Sequence, residues 1–263
     1  MFASVAEHVI YKIRNAEMRQ HPFPHFYIES IFPDDYYQKL RANWPAIADM
    51  TCLADTGRVT GNRYRERFIL ALESEAADKL SATQAQFWRE TADGLLGDEF
   101  KLNVISAFEP FFPVRFGAMP ARLETSAEAL VVRDLSNYAI TPHTDIPSRL
   151  LSLLFYCPKD DSQVHLGTSI YVPKDPSVAL DPNLHYSIDL FTRIATMEYK
   201  PNSLFAFLRT DYSYHGVEMI TAPDVERDLL LYDIRLQKVV MAAPTATNTK
   251  KSWLERTLSR LIS

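Results

Sequence analysis

The sequence predicts a mainly β protein with flanking α-helices, in which an antiparallel sandwich or barrel follows a helical N-terminal region. Helical patterns of apolar residues occupy much of the chain before residue 110. From residue 126 onward, short β-prone runs alternate with turn residues, with few helical patterns between them. With 263 residues, of which 47% are hydrophobic, the chain can bury a sizeable core within one domain.

The N-terminal elements follow from apolar spacing and from the positions of proline. Apolar residues three and four positions apart predict an amphipathic helix, which Pro22 and Pro24 prevent from continuing. Acidic residues at Asp34 and Asp35 fit the first turn of a second helix. The expected order is the first helix, a strand at 26–28, a helix at 34–43, a loop or mobile segment at 46–70, and helices at about 82–96 and 98–109.

The second half of the chain supplies the expected β-core. Its β-prone runs lie at 129–133, 150–156, 169–172, 194–199, 204–208 and 228–236. We expect one structural domain, consisting of an N-terminal helical support region (1–125), a core (126–240), and a C-terminal linker with an amphipathic helix (241–263). This last helix carries an apolar stripe and basic residues, so it could pack on its own domain, contact a dimer partner, or lie against an anionic membrane.

Composition narrows the classes of partner. The net charge of −5 provides no basic field over the chain, so we expect no nucleic-acid partner. Cys52 and Cys157 form no C-x-x-C pair, which argues against a cysteine zinc site and favours reduced thiols. The N-terminus lacks a signal-type apolar run, and no run of 18 apolar residues exists. A cytoplasmic protein is the expectation.

Two separated segments indicate a metal site. His143-Thr144-Asp145 is followed 72 residues later by His215, with Arg227 further downstream. Two imidazoles and one carboxylate form the facial triad that holds non-haem Fe(II) and leaves open positions for oxygen and a cosubstrate. In a strand, residues i and i+2 point to the same side, so the first His and the Asp can face one site together. An H-x-D triplet is a short motif, so the alternative interpretation is that these residues form a surface turn. The surrounding sequence is needed to choose between the metal site and the turn.

Four stretches around the triad resemble the Fe(II)/2-oxoglutarate-dependent dioxygenase superfamily, specifically its prolyl-hydroxylase-like branch. The resemblance covers roughly residues 126–237, and a weaker one covers 21–44. The segments that carry it are Asn137-Tyr138 before the triplet, the apolar run 151–156 with Lys159-Asp160, Gly167-Thr168-Ser169-Ile170, and the block from Asn202 through Ser213-Tyr214-His215-Gly216-Val217 to Glu226-Arg227.

This resemblance implies a double-stranded β-helix (jelly-roll, cupin-like) core. It implies that His143, Asp145 and His215 are the catalytic iron ligands. Arg227 would bind the distal carboxylate of 2-oxoglutarate, because a guanidinium offers carboxylates a planar bidentate partner. Tyr156 would assist, and Tyr138 is a further candidate. Many relatives carry Ser or Thr two residues after this arginine, where the present chain has Leu229.

The implied activity is that of a 2-oxoglutarate-dependent dioxygenase that uses Fe(II), 2-oxoglutarate and O₂. It would hydroxylate a C–H bond of a small-molecule, sugar or peptide substrate and release succinate and CO₂. The carboxylate at Asp145 favours oxidation without halide, since related halogenases have a small residue there. Two alternatives are a non-catalytic cupin-like ligand-binding protein and a metal enzyme that does not use 2-oxoglutarate.

Other charged residues are weaker candidates. Arg149, Arg209 and Arg63 are candidate substrate contacts; a solvated strand-end charge explains Arg149 equally well, and local loop pairing with Asp211 is the plainer explanation of Arg209. Arg63, Arg65 and Arg67 alternate and are interpreted as a solvated face, with an anionic substrate clamp as the alternative. The remaining histidines lack a carboxylate at ligand spacing and are interpreted as surface or structural residues: His8, His21, His25, His165 and His185.

Overall fold

The computed structural model describes residues 4–59, 63–72, 79–175, 177, 181 and 184–242. Its α-helices are α1 (Val5–Arg14), α2 (Asp34–Ala42), α3 (Ala82–Glu90), α4 (Asp98–Phe108) and α5 (Phe112–Phe116). Its strands are β1 (His25–Glu29), β2 (Thr51–Cys52), β3 (Arg67–Ala71), β4 (Pro120–Leu135), β5 (Ile140–His143), β6 (Arg149–Tyr156), β7 (Thr168–Pro173), β8 (Phe191–Met197), β9 (Ser203–Leu208), β10 (His215–Val217) and β11 (Glu226–Met241).

The strands form two antiparallel sheets. The larger sheet has the order β1–β9–β6–β11–β4–β3–β2, and the smaller has the order β5–β10–β7–β8. Each of the six β-prone runs in the sequence lies within or overlaps one of these strands, and the helices at 82–96 and 98–109 correspond to α3, a π-helical turn at Thr91–Leu95, and α4. The predicted mainly β, two-sheet jelly-roll core with flanking helices is confirmed.

The larger sheet is apolar on both faces because it is covered on both faces. On β6, Leu151, Leu153 and Phe155 belong to the core shared with the helices. The alternate residues Leu154 and Tyr156 belong to a second core between the sheets. Successive side chains of a strand point to opposite faces, so a continuous apolar run is the pattern expected for a strand between two layers.

The helices pack on the outer face of the larger sheet. The rings of Phe26 on β1 and Phe108 on α4 stack with their centroids 5.3 Å apart. Helix α3 begins with a capping box, in which the Ser81 hydroxyl accepts from the Gln84 backbone N–H. No helix among the described residues is long and apolar enough to cross a membrane.

Some sequence expectations need correction, and one lies outside the described residues. The segment 46–70 is not only a loop, since β2 and the start of β3 lie in it, and β3 pairs with β4 over residues 67–71. The region 1–125 is not only helical support, because β1, β2 and β3 extend the larger sheet. Cys52 and Cys157 are free thiols, and Cys52 is only half-buried. The C-terminal helix expected within 241–263 lies outside the described residues from 243 onward.

Candidate metal centre and its cavity

Two histidines meet across the smaller sheet. His143 ends β5 and His215 begins β10, and the two residues are direct antiparallel partners. Their ring centroids are 4.4 Å apart, as expected when two side chains face each other on one side of a strand pair. Gly216 permits the close pairing, because a Cβ there would lie 2.5 Å from the backbone oxygen of Ile140.

Backbone hydrogen bonds orient both imidazoles in the same way. His143 Nδ1 lies 3.0 Å from the Thr141 carbonyl oxygen, and His215 Nδ1 lies 3.0 Å from the Ser213 carbonyl oxygen. When Nδ1–H donates to a carbonyl, the lone pair of Nε2 is left free for a metal, which is the usual arrangement of metal-binding histidines. Burial also lowers the pKa of His143 well below its ordinary value, and the neutral ring keeps that lone pair at neutral pH.

Asp145 follows β5 and completes the group. Its Oδ1 lies 3.9 Å from His215 Nε2, and ligand atoms of His143, Asp145 and His215 all lie within 4.8 Å of one another. Ser152 donates to Oδ2 at 2.6 Å and Arg149 donates to Oδ1 at 2.7 Å. Burial alone would raise the pKa of Asp145, but Arg149 and the other partners outweigh burial and hold the pKa well below its ordinary value. The carboxylate is therefore charged.

The three candidate ligands line a cavity of about 780 Å³ between the two sheets. Its wall on the larger sheet includes Arg227, Leu231 and Asp233 of β11, which alternate along that strand. In the adjacent strands, Ser152 of β6 is the direct partner of Asp233. The metal group therefore lies towards Asp233 on this wall and Arg227 towards the other end, and β7 of the smaller sheet spans the two ends in two residues, since Ile170 pairs with His215 and Thr168 lies beside Arg227.

A row of three charged side chains crosses the far end of this wall. Arg67 on β3, Asp134 on β4 and Arg227 on β11 occupy neighbouring strands in direct register. Arg67 donates Nε and Nη2 to the two Asp134 oxygens at 2.6 and 2.9 Å, and Arg227 donates Nη1 to Oδ2 at 2.8 Å. Two guanidiniums share one carboxylate, so the row carries a net charge of +1.

Hydroxyl groups accompany this charged row. Tyr138 lines the cavity beneath the Arg67 guanidinium, which lies 4.4 Å from its ring centroid. The Tyr138 hydroxyl has no hydrogen-bond partner among the described residues, and burial raises its pKa, so it is available as a donor. Thr168 also lines the cavity, and its hydroxyl lies 3.4 Å from Arg227 Nη2. Tyr156 is fully buried, accepts from the Thr168 backbone N–H, and does not line the cavity.

A second carboxylate lies beside the metal group. Arg149 bridges Asp145 and Asp233, with Nη2 2.5 Å from Asp233 Oδ2. The other oxygen, Oδ1 of Asp233, has no hydrogen-bond partner among the described residues. Burial raises the pKa of Asp233 to about 6, and the charge of Arg149 offsets only part of this effect.

The candidate substrate contacts fall in three different places. Arg149 lines the cavity as expected for a substrate contact, although its guanidinium is already bound to two carboxylates. Arg209 is buried and does not line the cavity; it donates Nε to the Asp145 carbonyl oxygen and Nη1 to Asp211. Arg63 is exposed and is also not part of the cavity wall. Arg209 therefore supports the loop that carries a candidate ligand.

Sequence reasoning missed residues that the fold brings to the site. The solvated-face interpretation of the alternating arginines is wrong for Arg67, which faces the cavity, whereas Arg65 is half exposed and pairs with Asp55 at 3.3 Å. His185 is exposed, in agreement with its interpretation as a surface residue, but it also lines the cavity and its ring stacks on His143 with centroids 4.4 Å apart. The alternation of the three arginines in the sequence is the feature that could have identified Arg67, whereas no local sequence feature distinguishes His185.

Comparisons with known proteins add structural likenesses only. No protein-family model matches the chain, and no curated protein matches it. A prolyl-4-hydroxylase from Pseudomonas putida is 16% identical over 86% of this chain and 96% of that chain, with a TM-score of 0.46. A 2OG-Fe(II) oxygenase family oxidoreductase from Burkholderia pseudomallei is 12% identical over 92% and 96%, with a TM-score of 0.42. The epimerase SnoN, solved with Fe³⁺, alpha-ketoglutarate and nogalamycin RO, is 11% identical over 88% and 83%, with a TM-score of 0.47. Similarity at this level does not assign a function.

Proposed function

We propose that this chain is an Fe(II)- and 2-oxoglutarate-dependent oxygenase that hydroxylates a C–H bond of a small-molecule, sugar or peptide substrate. The observation that carries the proposal is one cavity with two complementary ends. His143, Asp145 and His215 converge at one end, and the row of Arg67, Asp134 and Arg227 lies at the other. A 2-oxo diacid has a chelating end and an anionic end, and it matches both.

The donor set fits Fe(II). Imidazole nitrogen and carboxylate oxygen are the donors of the two-histidine, one-carboxylate triad, which binds one face of the metal and leaves the other face open. His143 and His215 both direct Nε2 away from the backbone carbonyls that hold Nδ1. Ser152 fixes the carboxylate plane of Asp145 through a buried hydrogen bond. These supporting contacts are the kind that orient ligands in metal sites.

The distal end fits a carboxylate. The charged row has one uncompensated positive charge, and the Tyr138 hydroxyl beside it has no partner among the described residues. A ligand carboxylate would neutralise that charge and accept from the hydroxyl. The resemblance implied a Ser or Thr at the position of Leu229; Thr168 from β7 offers a hydroxyl beside Arg227 instead.

When bound, iron with 2-oxoglutarate and O₂ supplies the oxidation, in which one oxygen atom enters the substrate and the other enters succinate as CO₂ is released. The protein's own residues orient and enclose the reactants. The two rows between the ends are apolar and include Ile69, Leu130 and Leu154, which keep water from the diacid chain. Asp145 occupies the position of the third protein ligand, which favours hydroxylation over halide transfer.

Anaerobic titration of the Fe(II)-loaded protein with 2-oxoglutarate tests the proposal. The expected result is a weak visible charge-transfer band that saturates at one diacid per chain, followed by succinate formation when O₂ is admitted. The absence of a band with iron demonstrably bound would contradict the proposal. It would leave a metal enzyme without this cosubstrate, or a cupin-like ligand-binding protein, as the function to test.

A further inference from the structure

We propose that the cavity takes a substrate with a carboxylate and, on the adjoining carbon, an N–H or O–H group, which is a 2-amino acid or a 2-hydroxy acid. Arg58 and Arg235 would bind the carboxylate, and Asp233 would accept the hydrogen bond of the neighbouring group. This inference rests on the proposed function and names the substrate class of the same cavity. We call Arg58, Glu128 and Arg235 the outer cluster, because they lie on the side of Asp233 that faces away from Arg227.

The outer cluster adjoins the metal group on the inner face of the larger sheet. Arg235 follows Asp233 by two residues on β11, so the two side chains share a face about 7 Å apart along the strand. Glu128 on β4 is the direct cross-strand partner of Asp233. Arg58 reaches Glu128 from the segment between β2 and β3. All four residues line the cavity, so a ligand held by them lies beside the metal group.

Two guanidiniums of the outer cluster share one carboxylate. Arg58 Nη2 lies 2.6 Å from Glu128 Oε1, and Arg235 Nη2 donates to Glu128 Oε2 at 2.9 Å. Burial alone would raise the pKa of Glu128, but the two arginines outweigh burial and lower this pKa, so the carboxylate is charged. The cluster therefore carries a net charge of +1. Nε and Nη1 of Arg235 make no hydrogen bond to another described residue, and its side chain is 28% exposed, so it can donate to an anion.

Asp233 adds a hydrogen-bond acceptor next to this cation. Its side chain is 1% exposed; Arg149 binds Oδ2, whereas Oδ1 has no partner among the described residues. A buried acceptor without a donor is costly, and a donor on a ligand would satisfy it. Arg235 reaches back to Glu128, which stands opposite Asp233, so its guanidinium lies close to the Asp233 carboxylate. A carboxylate with a donor on the adjoining carbon can meet both groups, whereas a neutral sugar supplies donors but no anion.

The test uses protein loaded with Mn(II) and 2-oxoglutarate, with Mn(II) kept below the protein concentration. The probes are the common amino acids and the corresponding 2-hydroxy acids, their methyl esters, and matched carboxylic acids without the 2-substituent. Mn(II) broadens the proton resonances of a probe that binds beside it, and Zn(II)-loaded protein is the diamagnetic reference. At least one 2-amino or 2-hydroxy acid should be broadened in a saturable way, and its ester and unsubstituted counterpart much less; which of the two classes responds identifies the donor. Equal broadening of acid and ester, or of acid and unsubstituted counterpart, would overturn the inference.

Variants separate recognition from damage to the cavity wall. Arg235→Gln can keep a hydrogen bond to Glu128 without the charge, and it should lower the affinity for the broadened acid roughly 10- to 100-fold. Glu128→Gln raises the charge of the cluster from +1 to +2 and should not lower this affinity. Equal losses in both variants would count against charge recognition. Asp233→Asn should reduce the preference for the acid over its unsubstituted counterpart. Arg65→Gln is the matched control, because Arg65 pairs with Asp55 outside the cavity wall, and it should bind as the wild type does.

Failure of this inference and failure of the proposed function give different results. Calorimetry first measures the binding of 2-oxoglutarate to the Mn(II)-loaded wild type. No binding with Mn(II) bound would remove the proposed function itself. Binding of 2-oxoglutarate, with no 2-amino or 2-hydroxy acid broadened, would leave the proposed function standing and remove this substrate class.

Discussion

Asp134, which is buried between Arg67 and Arg227, is the charged residue near the cavity whose loss should affect the fold most strongly. Its side chain is fully buried and accepts three charge-assisted hydrogen bonds from Arg67 and Arg227, at 2.6, 2.9 and 2.8 Å. Asp134→Asn keeps the shape but removes the charge and turns one acceptor into a donor. Two buried guanidiniums would then face each other without a counter-ion. Removing one partner of a buried ion pair typically costs about 3–5 kcal/mol, and we expect a loss of unfolding free energy in this range.

Urea unfolding of the metal-free wild type and variant measures this loss. The slope m, by which the unfolding free energy falls with urea concentration, should be equal in the two proteins if the unfolded state has not changed. The expected fall in the melting temperature is roughly 6–20 °C for a chain of this size. Asp55→Asn is the control, since the Asp55–Arg65 pair is half exposed and such pairs contribute little. An Asp134→Asn protein within about 1 kcal/mol of wild type would refute the reasoning, because the row could then not depend on its shared carboxylate.

Three further outcomes are expected. His143→Ala and Asp145→Ala should each abolish stoichiometric Mn(II) binding, measured by electron paramagnetic resonance, and one tightly bound Mn(II) per chain in either variant would exclude this triad. Ser152→Ala should weaken Mn(II) binding by roughly tenfold or more, because it removes the hydrogen bond that orients Asp145; an unchanged affinity would show that the bond is dispensable. Burial raises the pKa of Asp233 from 3.8 to about 6, so the folded state holds this proton more tightly than the unfolded state. The unfolding free energy of the wild type, measured relative to that of Asp233→Asn, should therefore be highest below about pH 4. It should fall by up to about 3 kcal/mol as the pH rises through about 6. Parallel pH profiles of the two proteins in urea unfolding would contradict this prediction.

The parts of the site that could be predicted from sequence are those that follow from local spacing. His143 and Asp145 are two residues apart, and although β5 ends at His143, this short spacing keeps both side chains at one end of the strand. His215 was recognisable because it sits in a block whose residue types resemble a known family. The β-core was recognisable because runs such as 150–156 are apolar at every position, as a strand between two layers requires.

The charged row could not be found in this way, because its geometry depends on register between distant strands. Arg67 and Asp134 are 67 residues apart in sequence and become partners only through the pairing of β3 with β4. Locally, Arg67 ends a basic run next to Gly57 and Gly61, which favours an exposed loop. The structure shows that the last arginine of that run turns inward, and it does so because Asp134 supplies a buried counter-charge.

The difference in charge between the two ends of the cavity also sets the direction in which a diacid would bind. At the metal end, Asp145 and Asp233 share Arg149, so this trio carries a net charge of −1, which a divalent metal offsets. At the other end, Arg67 and Arg227 outnumber Asp134 and carry a net charge of +1 without any metal. On the smaller sheet the two ends lie only two residues apart on β7, about 7 Å along the strand, because Ile170 pairs with His215 and Thr168 lies beside Arg227. Of these two ends, only the Arg67 end therefore attracts an anion before metal binds, and metal loading is what makes the other end able to accept the chelating carboxylate.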